Sequence, residues 1–337
     1  MEDVDLVYTW CDSADPVWNA RRLAAMKAFN LVADPSANAE CRYAANDELR
    51  YSLRSAERCV PWVRRVFLVI ADDATPPKWL RLNHPKLQIV RLGEILPDPS
   101  KPCFCADLIE NRLAFIPGLA ERFLFSNDDT FFARPLVPDF FYARDGYPLF
   151  RFGGERKPSA DAAYPTYVRT LEKSAALVCA AHGGCGADGF AEALRRYPHH
   201  NIDAYRKSDV VDAYRRYGPY IAPMYDYPFR RPEHVHRVLY AYDAIARGHG
   251  HFRLARFRVK ETRPWWKRLL RPGYADSLQF FGDGWKTGVE MLRKWRPGLF
   301  CFNDTEAATD ADRTWLRQTL ESLFPIPSSF EKGGPDA

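Results

Sequence analysis

The chain has 337 residues, 47% of them hydrophobic and 14% aromatic, which excludes a disordered polypeptide and supplies the apolar surface for a large core. Its 48 Lys and Arg against 43 acids leave a net charge of +5, a mild excess that suits an anionic substrate as well as nucleic acid. No run approaches about 18 uninterrupted apolar residues, and a strand beginning near Asp5 leaves no room for a signal peptide, so the expectation is a soluble, cytoplasmic protein.

In chain order, the first apolar run, residues 6–10, reads as a strand. Behind it Asp15 is placed to cap a helix that Pro16 opens, and Asp12 stands at the strand's carboxyl end. Around residues 46–55 a helix presents Leu49 and Leu53 on one side. Arg50 and Arg54, four apart, share another, where they either grip phosphate oxygens or pair with Asp47 and Glu57 in solvent. Residues 66–70 are a strand of the kind a sheet covered on both faces needs. A helix opened by Pro77, a strand at 87–91 and a helix over 106–115 follow, the last carrying Asp107 and Glu110 on one side. Alternating strands and helices predict an α/β domain with a Rossmann-like, largely parallel sheet.

The next strand, within residues 122–132, stops at Asn127, Asp128 and Asp129. In an open α/β sheet ligands sit outside the carboxyl ends of the strands, where a carboxylate can hold a divalent cation against a diphosphate. The same residues also make an ordinary turn. Residues 160–250 then lose the strand pattern and read as four helices, at 164–181, 190–197, 204–217 and 232–246, whose loops carry His199, His200, Arg230 and Arg231. This is read as a helical subdomain inserted into the α/β domain. Residues 251–297 interleave basic and aromatic side chains, including Arg256, Trp265 and Trp266. That pattern fits a nucleic-acid groove, an acceptor-sugar platform or a lipid-facing patch. A second short strand, residues 299–302, again ends in Asn-Asp, at Asn303 and Asp304, and a helix over 310–323 follows.

The eight cysteines, Cys11, Cys41, Cys59, Cys103, Cys105, Cys179, Cys185 and Cys301, include no CxxC pair and are expected as free thiols in a reducing compartment. The chain has no GxGxxG after its first strand, no P-loop, no HExxH and no GxSxG. A nicotinamide dehydrogenase, a P-loop ATPase, a zincin and an α/β-hydrolase each lose their main support.

Four blocks in this order resemble the Stealth family of sugar-phosphate transferases, which includes bacterial capsular polysaccharide phosphotransferases and the animal N-acetylglucosamine-1-phosphotransferase. They are DLVYTW with Asp12 and Asp15; residues 42–132 with NDELRYSLRS, PWVRRVFLV and RFLFSNDDTFF; His200 with Lys207 and the Phe229-Arg230 segment; and LFCFND followed by LFPIPSSFE. The resemblance implies that Glu110, Asp129, His200 and Arg230 are catalytic-centre positions. Asp12, Arg50, Arg54, Asn127 and Asp128 would line the nucleotide-sugar side, with Asp129 and Asp128 holding Mg²⁺ or Mn²⁺.

The implied division is residues 1–155 as the α/β nucleotide-sugar part, 156–250 as the helical insertion carrying His200 and Arg230, and 251–337 as the basic aromatic segment and a strand-helix return to the core. The implied partners are a UDP-sugar donor and an oligo- or polysaccharide acceptor, without nucleic acid and with peripheral membrane association left open. An ordinary metal-dependent glycosyltransferase and a non-catalytic glycan-binding protein are the alternatives. The family's Gly in the first block is replaced by Ser13 or Ala14, and its polar run before Glu110 by Phe104-Cys105-Ala106.

Overall fold

The structure of the protein is a computed structural model that describes residues 2–31, 37–156, 166–184, 186, 188–255 and 276–334. Its strands are β1 (Val4–Thr9), β2 (Val66–Ile70), β3 (Leu87–Arg91), β4 (Arg122–Asn127), β5 (Thr130–Phe132), β6 (Leu149–Glu155), β7 (Arg196–Pro198), β8 (Asp203–Arg206), β9 (His251–Leu254), β10 (Ser277–Phe281) and β11 (Leu299–Asn303). Around them pack α1 (Pro16–Ala28), α2 (Glu48–Cys59), α3 (Ala106–Glu110), α4 (Thr166–Ala181), α5 (Asp188–Leu194), α6 (Lys207–Arg216), α7 (Val238–Ala246), α8 (Trp285–Trp295) and α9 (Asp310–Leu323).

The main sheet runs β3-β2-β1-β4-β8, with all neighbours parallel except β4 and β8. Strand side chains alternate between faces. Leu6, Tyr8, Leu68 and Leu124 therefore enter one core, against Leu49 and Leu53 of α2. Val7, Phe67, Val69, Phe123 and Phe125 enter the other, against Leu108 of α3 and Leu239 of α7. Burial on both sides explains why β2 is apolar at every position. Because β1, β2 and β4 are parallel, their carboxyl ends open at one edge. This is the Rossmann-like α/β architecture that the alternation of elements predicts.

A second sheet, β10-β11-β5, grows from the far side of the Asp128-Asp129 turn, with β11 antiparallel to β5. Phe131, Phe300, Phe302 and Trp285 form its core with Leu316 and Leu320 of α9. A third sheet, β7-β6-β9, carries the segment before His200.

Some elements depart from the sequence expectation. The helix expected at 204–217 begins only at Lys207, because residues 203–206 instead extend the main sheet as β8. Ala204 and Tyr205 are buried there, and the backbone gains a ladder on β4. The region around residues 156–250 is therefore not purely helical. The helix expected from Pro232 is regular only from Val238, and the one expected from Pro77 does not form. Cys179 is disulfide-bonded, which corrects the expectation of free thiols at that position, whereas Cys11, Cys41, Cys59, Cys103, Cys105 and Cys301 are free. Residues 256–275, the heart of the basic aromatic segment with Arg256, Trp265 and Trp266, lie outside the described residues. Among the described residues no helix is long and apolar enough to cross a membrane.

Candidate active site

The carboxyl ends of β1, β2 and β4 open into a cavity of about 210 Å³. Thr9, Trp10 and Cys11 come from β1 and its continuation, Val69 and Ile70 from β2, and Asn127 from β4. The lining carries charge of both signs. Glu48, Asp128, Asp129, Asn303 and Asp304 form an acidic cluster with His200, and Arg42 and Arg230 also line the wall. Trp18, Phe104 and the thiols of Cys11, Cys41, Cys103 and Cys105 line much of the remainder.

The acidic cluster is built on the tight turn between β4 and β5. Thr130 Oγ1 donates to the Asn127 carbonyl at 2.8 Å, and Ser52 of α2 donates to the Thr130 carbonyl at 2.6 Å, so the turn is pinned from both sides. Asp129 Oδ2 accepts from Asn303 Nδ2 at 3.0 Å and from Cys301 Sγ at 3.3 Å. His200 Nε2 lies 3.5 Å from Asp129 Oδ1 and 3.4 Å from Asn127 Nδ2. Glu48 opens α2, where Asn46 Nδ2 donates to its Oε1 at 3.0 Å and reaches Asp304 Oδ2 at 3.3 Å.

Three carboxylates thus converge with no lysine or arginine paired to any of them among the described residues. Burial, with the Asp129 charge added, pushes the Glu48 carboxyl up to about 7. Burial, then Glu48 and Asp129, raises Asp128 well above the carboxylate range. Burial works against Asp129 too, but His200, Asn303 and Cys301 outweigh it and hold its carboxyl below the ordinary value. Asp129 Oδ1 is buried with no hydrogen-bond partner. A buried carboxylate oxygen with no hydrogen-bond partner, beside two acids that no described lysine or arginine pairs with, is a donor set that fits a hard divalent cation. Asp129, His200 and Cys301 also bring ligand atoms within 4.8 Å of one another.

At the cationic wall, Arg230 is buried and forks onto Asp107, Nε to Oδ2 at 2.8 Å and Nη2 to Oδ1 at 3.1 Å. Burial opposes the Asp107 charge, but Arg230 prevails and keeps the carboxyl below its usual range. Arg42 comes from the short 3₁₀ turn Glu40–Arg42. Burial and then repulsion from Arg230 lower its pKa from the ordinary arginine value, and no described carboxylate forms an ion pair with it. An unpaired guanidinium beside a fixed one is an arrangement that binds anions, phosphate above all.

The residues expected from the sequence divide into two groups. Asn127, Asp128, Asp129, His200 and Arg230 meet at this cavity. Arg50 and Arg54 do not reach it, a correction to their expected place on the nucleotide-sugar side. Arg54 is buried and bonded to Glu331, Glu321 and the Phe324 carbonyl, and Arg50 Nε meets Glu331 at 2.5 Å. Their charge is spent on the C-terminal segment. Asp12 accepts from the Ala14 amide at 2.8 Å and closes its own turn outside the lining. Glu110 is likewise outside the lining: its carboxylate binds Arg237 Nη1 at 3.0 Å, and Arg237 also holds Asp203 at 2.8 Å. His199 is buried away from this role, with burial pushing its pKa down to about 3.

Sequence reasoning passed over Arg42, Glu48 and Asn303 as site residues. The signal for Asn303 was present, since its strand ends in Asn-Asp as β4 does. Glu48 lies within the NDELR run, and Arg42 carried no local mark.

Residues 42–150 match Stealth protein CR2, conserved region 2, and residues 290–337 match Stealth protein CR4, conserved region 4. Over 99% of its length the chain is 33% identical to exopolysaccharide phosphotransferase CpsY of Mycobacterium tuberculosis, and the match covers 59% of that protein. It is 33% identical over 98% of its length to exopolysaccharide phosphotransferase SCO6023 of Streptomyces coelicolor, covering 52% of that protein. The chain therefore spans somewhat more than half the length of these relatives. Among solved structures, the galactosyltransferase LgtC in complex with donor and acceptor sugar analogs aligns over 96% of both chains, with 11% identity and a TM-score of 0.43. Conserved region 2 holds Glu48, Asp128 and Asp129 and conserved region 4 holds Asn303 and Asp304, so the chain carries two conserved regions of the Stealth family and they meet in the lining of one cavity.

Proposed function

We propose that the chain transfers a hexose-1-phosphate, N-acetylhexosamine-1-phosphate for preference, from a UDP-sugar to a hydroxyl of a growing capsular polysaccharide or exopolysaccharide. The observation that carries this reading is one cavity lined by both a cation-accepting carboxylate cluster and the Arg42-Arg230 pair, which together suit a diphosphate. The relatives named as exopolysaccharide phosphotransferases supply the acceptor class.

In this reading the acceptor oxygen attacks the phosphorus that bears the sugar. The bond from that phosphorus to the bridging oxygen breaks, UMP leaves with the bridging oxygen, and the new phosphodiester joins sugar to acceptor. Asp129 and Asp128, with Glu48, would hold Mg²⁺ or Mn²⁺, which when bound neutralises charge on the diphosphate. Arg42 and Arg230 receive the phosphoryl oxygens, Arg230 in the orientation that Asp107 fixes. His200, whose Nε2 lies 3.5 Å from Asp129 Oδ1, takes the acceptor proton on that nitrogen. Glu110 acts at one remove, through Arg237 and Asp203.

The test is incubation with UDP-N-acetylglucosamine, Mg²⁺ and a short capsule-type oligosaccharide, with the released nucleotide identified. UMP release with phosphorus retained in the glycan is the expected result. Release of UDP would overturn the reading, because it marks attack at the anomeric carbon.

A further inference from the structure

The two oxygens of Asp129 are not equivalent. Oδ2 is occupied by Asn303 Nδ2 at 3.0 Å and Cys301 Sγ at 3.3 Å, while Oδ1 is buried with no hydrogen-bond partner and faces His200 Nε2 at 3.5 Å. Both donors come from β11, a strand that lies far from Asp129 in sequence and reaches it only because the second sheet grows from the same turn. Register fixes the approach. Cys301 stands opposite Thr130, and the Phe302 amide donates to the Asp129 carbonyl at 3.1 Å. Asn303 is itself anchored, since Phe281 is its partner on β10 and Trp285 Nε1 donates to its carbonyl at 3.2 Å.

A carboxylate on a short turn can otherwise rotate about its last torsion and exchange its oxygens. An amide anchored in a sheet, donating to one oxygen, fixes that plane and leaves the other oxygen aimed into the cavity.

We infer that Asn303 is a positioning residue for Asp129: it holds Oδ2 so that Oδ1 is presented, already oriented, to a divalent cation. This rests on the reading of Asp129 as a cation ligand. Partners that orient a metal ligand contribute about 10- to 100-fold in affinity. The amide is the stronger donor of the two, because a thiol hydrogen bond is weak. It follows that Cys301→Ala perturbs the site less than Asn303→Ala.

The experiment is Mn²⁺ titration of the purified chain, followed by the electron paramagnetic resonance signal of free and bound ion, with thermal midpoints recorded in EDTA. Asn303→Ala is expected to bind Mn²⁺ about 10- to 100-fold more weakly, a loss larger than the fall in its metal-free midpoint accounts for, with Asp129→Asn weaker still. Should the alanine variant fail to fold, Asn303→Leu, close to the same size and without a donor, gives the same reading. Unaltered affinity in the Asn303 variant beside normal wild-type binding would overturn the inference alone. A loss of affinity that tracks a fallen metal-free midpoint would assign Asn303 a purely structural role and also overturn it. Absence of Mn²⁺ binding by the wild type would remove the cation reading itself, and this inference with it.

Discussion

At the scale of single residues, the cavity separates side chains that serve chemistry from those of the same type that serve the fold, and the partner decides which is which. His200 faces a carboxylate oxygen and the cavity, whereas His199, next to it, is buried and its Nδ1 meets Asn201 at 3.2 Å. Replacing His200 with alanine is expected to reduce turnover about 100-fold or more while leaving donor binding largely intact; turnover within about tenfold of wild type across pH 6 to 9 would remove the general-base role. Arg42 makes the parallel case among the arginines. Charge-assisted hydrogen bonds contribute roughly 1.5–3 kcal/mol each, so Arg42→Ala should weaken UDP-sugar binding about 10- to 100-fold by calorimetry, with partial recovery in Arg42→Lys. Arg54, by contrast, is consumed by Glu331. Burial tends to raise the Glu331 carboxyl, but Arg54, the Ser328 amide and Arg50 hold it down to about 2. A carboxyl with a folded pKa below its unfolded one contributes stability that is complete above about pH 4.5 and is lost as pH falls toward 2. Glu331→Gln should therefore cost on the order of 3 kcal/mol at neutral pH, with the gap to wild type closing between those two values in acid unfolding curves.

At the scale of elements, the turn between β4 and β5 is held by structure on every side, and the second sheet supplies the last constraint. Phe131 of β5 is fully buried and stacks on Phe300 at 4.9 Å and Phe324 at 6.0 Å between ring centroids. Phe131→Ala is expected to cost about 3–5 kcal/mol, and because that core carries β11, Mn²⁺ affinity should fall along with the thermal midpoint. A lower midpoint with undiminished Mn²⁺ affinity would show that the turn keeps its shape without β11. The main sheet was legible from local pattern, since an apolar run such as residues 66–70 admits only a strand buried on both faces, and the acid turn was legible because polarity stops the β4 run abruptly. The placement of β8 was not, because Ala204-Tyr205-Arg206 runs directly into a good helix former and only the free edge of β4 makes it a strand. The roles of Arg50 and Arg54 were not legible either. Their helical spacing suits a phosphate as well as a carboxylate, and the deciding partner, Glu331, lies some 280 residues away in the chain. Asn303 shows the same limit from the other side: its strand was visible, but its contact with Asp129 depends on how two sheets share a turn.

At the scale of the whole molecule, the site and the clasp that closes the fold are physically separate, which lets stability and ligand binding be told apart. The cavity draws Asp128 and Asp129 from the main sheet and Asn303 from the second, while Arg54 and Glu331 join α2 to the C-terminal segment outside the cavity. A ligand that binds only the folded state stabilises it by about 2.7 kcal/mol at a hundred times its dissociation constant, whatever the starting stability. Mn²⁺ with UDP should therefore raise the thermal midpoint of the wild type and of Glu331→Gln alike, although the variant begins lower. Asp129→Asn should instead lose that rise, from a metal-free midpoint at or below that of the wild type, because the partners that hold the Asp129 carboxyl below its ordinary value stabilise its charged form. Differential scanning calorimetry of the three proteins with and without ligand reads both effects. A ligand-induced rise retained in Asp129→Asn would separate the cation from this carboxylate and move the donor site away from the turn between β4 and β5.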